Sequence, residues 1–276
     1  MGSCNIHYRW IPACARMTER VEPMHIKVMG QGPNLVMLHG WSMHSAVWHD
    51  LAEGLAKHFT LHLVDLPGHG QSEWQADALE LDVVVKNLAK ELPETAYWLG
   101  WSLGGLISIA FADHFPNRVK KIILMSATPC FVQVTGWSCA MDASVFKTFA
   151  DNLEDDQATT LQRFLLLQAR GSQQSRDTIR QLTQQLTIEK PPVADALQAG
   201  LKLLIEIDLR TQFATLQCPI KMILGDRDTL IPTQMLDDAK QLNPKVEIAL
   251  LAGAGHAPFI AQAAQCQQEI EKFINE

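Results

Sequence analysis

The chain has 276 residues, 47% hydrophobic and 19% charged, with a formal net charge of −7; that is enough material for one large buried core, and no apolar run approaches the ~18 residues of a membrane span. An acidic balance of 23 Lys and Arg against 30 Asp and Glu argues against nucleic-acid binding, which needs a basic footprint to neutralise phosphates. Cys4, Cys14, Cys130, Cys139, Cys218 and Cys266 are too sparse for a disulfide scaffold and form no C-x-x-C pair, so free thiols in a reducing cytoplasm are expected.

Residues 1–23 carry Arg9, Arg16 and Arg20 but neither a helical nor a strand period, and no apolar core of a secretory signal. They read as an extension outside the fold, with Met17 or Met24 as alternative starts. From Met24 onward, short apolar runs alternate with amphipathic stretches, the pattern of a parallel sheet covered by helices on both faces. Strands are predicted at 25–29, 35–38, 61–65, 96–99, 121–125, 220–224 and 246–251, and helices at 46–58, 81–92, 104–114, 233–242 and 262–274. In the second helix Leu81, Val84, Val85, Leu88 and Leu92 recur at the helical period.

One stretch breaks the alternation. Over 134–210 the strand signal vanishes and the chain turns Leu- and Gln-rich and helical, dividing an α/β core into 24–133 and 211–276. A helical insertion between two strands of such a sheet is expected to lie as a lid over the carboxyl edge, where ligands bind.

Gly100-Trp101-Ser102-Leu103-Gly104 matches G-x-S-x-G, in which serine sits on a sharp strand-to-helix turn. The strand-like run before it and the apolar helical run after it are the context that such a turn demands. A serine hydroxyl is a weak nucleophile at neutral pH and needs a base, itself held by an acid. On this architecture the chain order is Ser, acid, His. His256, in Gly253-Ala254-Gly255-His256, follows the last strand and is the expected base; Asp226 and Asp228 both stand in the loop where the acid belongs. Leu103 N–H, at a helix start, and Trp41 N–H, in the loop after an early strand, are the expected oxyanion donors, with His39 bracing that loop. The Asp65-to-Ser72 turn lacks the Lys-Ser/Thr ending of a phosphate loop, and no ligand cluster argues for a metal, so no cofactor is expected.

Taken in order, LHGWS, DLPGHGQS, GWSLGGL, GDRDTLIP and GAGHAPF resemble the α/β-hydrolase superfamily over residues 24–276. LHGW, FTLHLVDLPGHG, WLGWSLGGL, RFLLLQ and AGHAPF are similar in particular to its pimeloyl-[acyl-carrier protein] methyl ester esterase family of biotin synthesis. The resemblance implies a helical lid, a Ser102, Asp228, His256 triad, and hydrolysis of the carrier-linked methyl ester with release of methanol. It further implies oxyanion donors at Trp41 and Leu103, and an acyl channel lined by Phe164, Leu165, Leu166, Leu167 and Gln168. Its partner would be an acidic acyl carrier protein. The stretch 162–190 holds Arg163, Arg170, Arg176, Arg180 and Lys190 against Asp177 and Glu189, a local +3, so Arg163, Arg176 and Arg180 are the expected docking residues. Other readings on the same scaffold are a general short-chain carboxylesterase, a C–C hydrolase or acyltransferase, and a noncatalytic binding protein. Dehalogenase and epoxide hydrolase chemistry would place aspartate where Ser102 stands. A cytoplasmic monomer without nucleic-acid or membrane partners completes the expectation.

Overall fold

The computed structural model describes residues 23–276; the expectation for the amino-terminal extension falls almost wholly outside the described residues. Seven strands form one sheet: β1 (Ile26–Gly30), β2 (Asn34–Leu38), β3 (Thr60–Val64), β4 (Ala96–Trp101), β5 (Val119–Met125), β6 (Ile220–Gly225) and β7 (Glu247–Leu251). Their order is β1-β3-β2-β4-β5-β6-β7, with only β1 antiparallel to its neighbour. All seven expected strands are present, their ends moved by one or two residues.

The central strands are apolar on both faces because both faces are covered. Val36, Leu38, Trp98, Ile122, Leu124, Met222 and Leu224 belong to one core. The alternating residues Leu35, Met37, Leu99, Trp101, Ile123, Met125 and Ile223 belong to the other, as the two-residue strand period requires. Helices α1 (His49–Leu55), α2 (Leu81–Glu91) and α3 (Leu103–His114) follow β2, β3 and β4. The single helix expected over 46–58 is instead a 3-10 turn, Ser45–Trp48, followed by α1, and the chain leaves α1 through i→i+3 turns at Lys57 and His58. Leu92 is extended (φ −96°, ψ 160°), as a residue before proline must be, so α2 stops one residue short of its expected end.

Between β5 and β6 lie α4 (Ala143–Asp155), α5 (Gln157–Ala169), α6 (Ser175–Ile188), α7 (Ala194–Glu206) and α8 (Arg210–Thr215). The inserted stretch is not helical from 134: isolated bridges Val132 to Met141 and Val134 to Trp137 hold its first residues. Asp142 and Asp156 cap α4 and α5 by accepting the N–H groups of Ser144 and Thr159. Helices α9 (Met235–Leu242), α10 (Pro258–Ala261) and α11 (Ala263–Asn275) complete the core.

Cys130, Cys139, Cys218 and Cys266 are unpaired. Burial pushes the Cys218 thiol up to about 11 and that of Cys266 to about 12, which keeps both as inert thiols. Among the described residues no helix is long and apolar enough to cross a membrane, and no cluster of His, Cys, Asp and Glu is arranged to hold a metal ion.

Candidate active site

Ser102 stands between the end of β4 and the start of α3 with φ 53° and ψ −116°, a left-handed backbone that costs about 1–3 kcal/mol outside glycine. Its neighbours make so sharp a turn possible. A Cβ on Gly100 would lie 2.4 Å from Gly104 O, and one on Gly104 would lie 2.3 Å from Leu38 O. The motif's glycines are therefore the condition for α3 to fold straight back over β2 and β4. Ser102 N–H donates to Met125 O (3.1 Å), while its carbonyl accepts from Gly105 N–H (2.9 Å) and Leu106 N–H (3.2 Å).

A chain of hydrogen bonds runs from that hydroxyl. Ser102 Oγ lies 3.0 Å from His256 Nε2, and His256 Nδ1 lies 2.8 Å from Asp228 Oδ2. A carboxylate accepts only, so Nδ1 carries the proton and Nε2 is left to receive the serine's. The other carboxylate oxygen of Asp228 accepts Leu230 N–H (2.9 Å) and Ile231 N–H (3.0 Å), which fixes the group's rotation. Ser102 is 4% exposed and His256 1%. Of the two aspartates in this loop, Asp228, the one the family resemblance implied, is the one beside the imidazole. Asp226 instead accepts Gly253 N–H (2.6 Å) and braces the histidine loop.

The histidine's backbone is held from two sides. Trp101 Nε1–H donates to His256 O (2.8 Å), and His256 N–H donates to Gln168 O at the end of α5 (3.1 Å). Gln173 N–H also donates to Gly253 O (3.0 Å), so the α5–α6 turn rests directly on the loop that carries His256. Sequence reasoning missed both supports. Trp101 acts through its indole but occupies the free position of the motif, and Gln168 acts here through its main chain, so no motif marks either one.

Leu103 is the first residue of α3, where an N–H has no intrahelical acceptor and the helix end is electropositive. The Gly40 backbone lies against the nucleophile: a Cβ there would come 3.3 Å from Ser102 Cβ and 3.0 Å from the Trp101 ring. Trp41 follows as the first inner residue of a turn closed by Met43 N–H to Gly40 O (3.2 Å). Its indole donates to Leu197 O on α7 (2.8 Å) and packs edge-on to Phe164 on α5, centroids 4.7 Å apart. Gly200 on α7 faces both Trp41 and Leu103, so the inserted helices cover the loop and the helix start that carry these two N–H groups.

The five consecutive residues expected to line a channel do not share a face, because residues on a helix are spaced by about 100°. Phe164 is buried against Trp41 and Phe149, Leu165 faces the opposite core, and Gln168 is buried beside the His256 loop. Leu167 is half-buried. Leu166 departs from the expectation: it is 54% exposed, on an outer hollow of about 370 Å³ that it shares with Val145, Phe149, Arg163, Leu167 and Arg170. Arg163, Arg176 and Arg180 are all exposed on α5 and α6. Arg180 pairs with Asp177 at 3.1 Å, both side chains largely in solvent.

Comparison with known proteins adds to the geometry. A family model for the alpha/beta hydrolase fold matches residues 33–263. The pimeloyl-[acyl-carrier protein] methyl ester esterase of Xanthomonas axonopodis pv. citri (strain 306) is 43% identical over 251 residues, covering 91% of this chain and 98% of that protein. Its counterpart from Xylella fastidiosa (strain 9a5c) is 42% identical over 253 residues, with the same two coverages. Among solved structures, an esterase from Exiguobacterium antarcticum superposes with a TM-score of 0.81 at 18% identity, over 92% of this chain and 96% of that one. A bromoperoxidase from Bacillus anthracis gives 0.83 at 17% identity, over 92% and 95%. At such identities these two report the fold alone.

Proposed function

The chain belongs to the α/β-hydrolase fold family and, within it, to the pimeloyl-[acyl-carrier protein] methyl ester esterases, and from that membership we propose that it hydrolyses the methyl ester of pimeloyl-[acyl-carrier protein]. The products are the carrier-linked free acid and methanol, a step that serves biotin synthesis. The observation that carries the reading is the hydrogen-bonded chain Ser102, His256, Asp228 beneath the inserted helices, in a chain 42–43% identical to these esterases over nearly their whole length.

His256 Nε2 takes the proton of Ser102 as Oγ attacks the ester carbonyl, and Asp228 steadies the imidazolium that forms. Negative charge gathers on the former carbonyl oxygen, where Leu103 N–H and Trp41 N–H are the donors; one such donor is typically worth ~10²–10³ in rate. Collapse expels methoxide, which leaves as methanol with the proton from His256. Water then attacks the acyl-serine, giving its proton to His256, and the return of that proton to Ser102 Oγ releases the acid.

Helices α4–α8 serve as the lid, and the apolar Phe149, Phe164 and Trp41 column suits an acyl chain, worth ~0.8 kcal/mol per buried methylene. Arg163, Arg176 and Arg180 are the docking cations for the acidic carrier. The protein works as a cytoplasmic monomer on this reading. The test is turnover of carrier-linked pimeloyl methyl ester by the purified protein, followed by the mass of the carrier-linked product. Conversion to the free acid supports the proposal. A protein that cleaves free short-chain methyl esters but leaves the carrier-linked one intact is a general carboxylesterase instead.

A further inference from the structure

Four buried polar side chains near the nucleophile take no part in the steps above: His39, His44, Asp65 and His69. Two of them, His39 and Asp65, tie two loops together reciprocally. From the loop after β2, His39 Nε2 accepts Leu66 N–H (3.0 Å) in the loop after β3. From the loop after β3, Asp65 accepts Ser45 N–H (2.6 Å) in the first loop, and its other oxygen accepts Gln71 N–H (3.0 Å).

The remaining nitrogen of His39 is the informative one. His39 Nδ1 lies 2.8 Å from Gly40 O, and a carbonyl can only accept, so Nδ1 carries the proton. Because Leu66 N–H donates to Nε2, that nitrogen must be bare. Both bonds can form together only in the neutral Nδ1–H tautomer. Burial drives the ring in the same direction, holding its protonation down to about 3. The Gly40 carbonyl also accepts Met43 N–H at 3.2 Å, so its oxygen is held by two donors.

A trans peptide is planar, with its C=O and N–H pointing opposite ways. The peptide whose oxygen is Gly40 O has Trp41 N–H on its other edge. Gripping the oxygen therefore aims that N–H, and the Gly40 backbone lies against Ser102. We infer that His39 is a positioning residue of the oxyanion hole, its neutral Nδ1–H setting the direction of the Trp41 N–H through the shared peptide plane. The inference rests on the esterase reading and on Trp41 N–H as an oxyanion donor.

Three variants separate the two nitrogens. In His39→Asn the side-chain amide reaches the Nδ1 position and can still donate to Gly40 O. In His39→Gln the amide reaches the Nε2 position, satisfies Leu66 N–H, and leaves Gly40 O without that donor. His39→Ala removes both bonds. The measurements are kcat and KM on a methyl ester, with melting temperatures alongside. The Gln and Ala variants are expected to lose about tenfold or more in kcat with little change in KM, since the donor acts on charge that develops only in the transition state. His39→Asn should recover most of that loss. A His39→Gln enzyme with unmodified kcat would overturn the inference while leaving the esterase reading intact. An unmodified protein that hydrolyses no methyl ester would remove the esterase reading itself. If the variants do not fold, the tautomer in the unmodified protein, read from imidazole 15N shifts, decides: Nδ1–H supports the inference, and an Nε2–H or protonated ring refutes it.

Discussion

Replacing Asp228 by asparagine exchanges one oxygen for an NH2 group and is expected to disable the enzyme through a proton's position. In the native site Asp228 Oδ1 accepts two main-chain N–H groups, from Leu230 and Ile231 at 2.9 and 3.0 Å. An amide nitrogen cannot face two donors, so the substituted side chain would keep its oxygen there and turn its NH2 toward His256. Nδ1, 2.8 Å from that position, would then have to accept, and the ring proton would move to Nε2. Nε2 is the atom 3.0 Å from Ser102 Oγ and could no longer take the hydroxyl proton. Loss of the correct tautomer in a Ser-His-Asp site costs ~10⁴ in kcat, about 5 kcal/mol of barrier. Folding should change little, because the variant keeps both main-chain hydrogen bonds and the side-chain volume. The assay is kcat on a methyl ester with the unfolding midpoint measured in parallel. An Asp228→Asn enzyme within tenfold of the unmodified rate, with unaltered stability, would refute the assignment of Asp228 as the acid.

Three other outcomes follow from the same structure. Charge reversal at Arg176 and Arg180 should raise KM for the carrier-linked ester about tenfold, most visibly at low salt, and leave a free short methyl ester unaffected; equal effects on both substrates would exclude docking. Burial lowers the rings of His39 to about 3 and His69 to about 4 from 6.5, so the unfolded chain binds more protons than the folded one below 6.5. Their contribution is complete above that value and is lost as pH falls toward 4, about 2 kcal/mol for each ring by pH 5; urea unfolding across this range should show the decline, and His69→Asn should flatten it. Gly104→Ala, whose Cβ would meet Leu38 O at 2.3 Å, should destabilise the fold by about 3 kcal/mol or more, read as a lower urea midpoint.

The order of strands and helices was legible because burial writes its period into the chain. The continuous apolar runs at β2, β4, β5 and β6 belong to strands covered on both faces, and the Leu81 to Leu92 spacing belongs to a helix covered on one. The hydrogen-bonded chain of Ser102, His256 and Asp228 was legible for another reason: the elbow needs Gly100 and Gly104 on steric grounds, and on this fold the acid and the histidine are sought downstream in a fixed order. What stayed hidden travels through the main chain or depends on rotation. Gln168 supports His256 with a carbonyl that any residue possesses, and Trp101 does so with an N–H in a position the motif leaves free. The resemblance implied one lining from Phe164 to Gln168, yet the helix turns Leu166 outward and Phe164 inward. Asp226 and Asp228 are two residues apart in one loop, so position alone left both open; the family resemblance implied Asp228, and the turn's course brings that carboxylate to the imidazole.

Ser102 as a nucleophile activated by His256 is tested most directly by intact-protein mass spectrometry on samples quenched during turnover of a methyl ester. The unmodified enzyme should carry a transient acyl adduct that maps to Ser102, while Ser102→Ala should carry none and release methanol only at the background rate. Continued hydrolysis by Ser102→Ala, or an adduct mapping to another residue, would contradict the proposed chemistry.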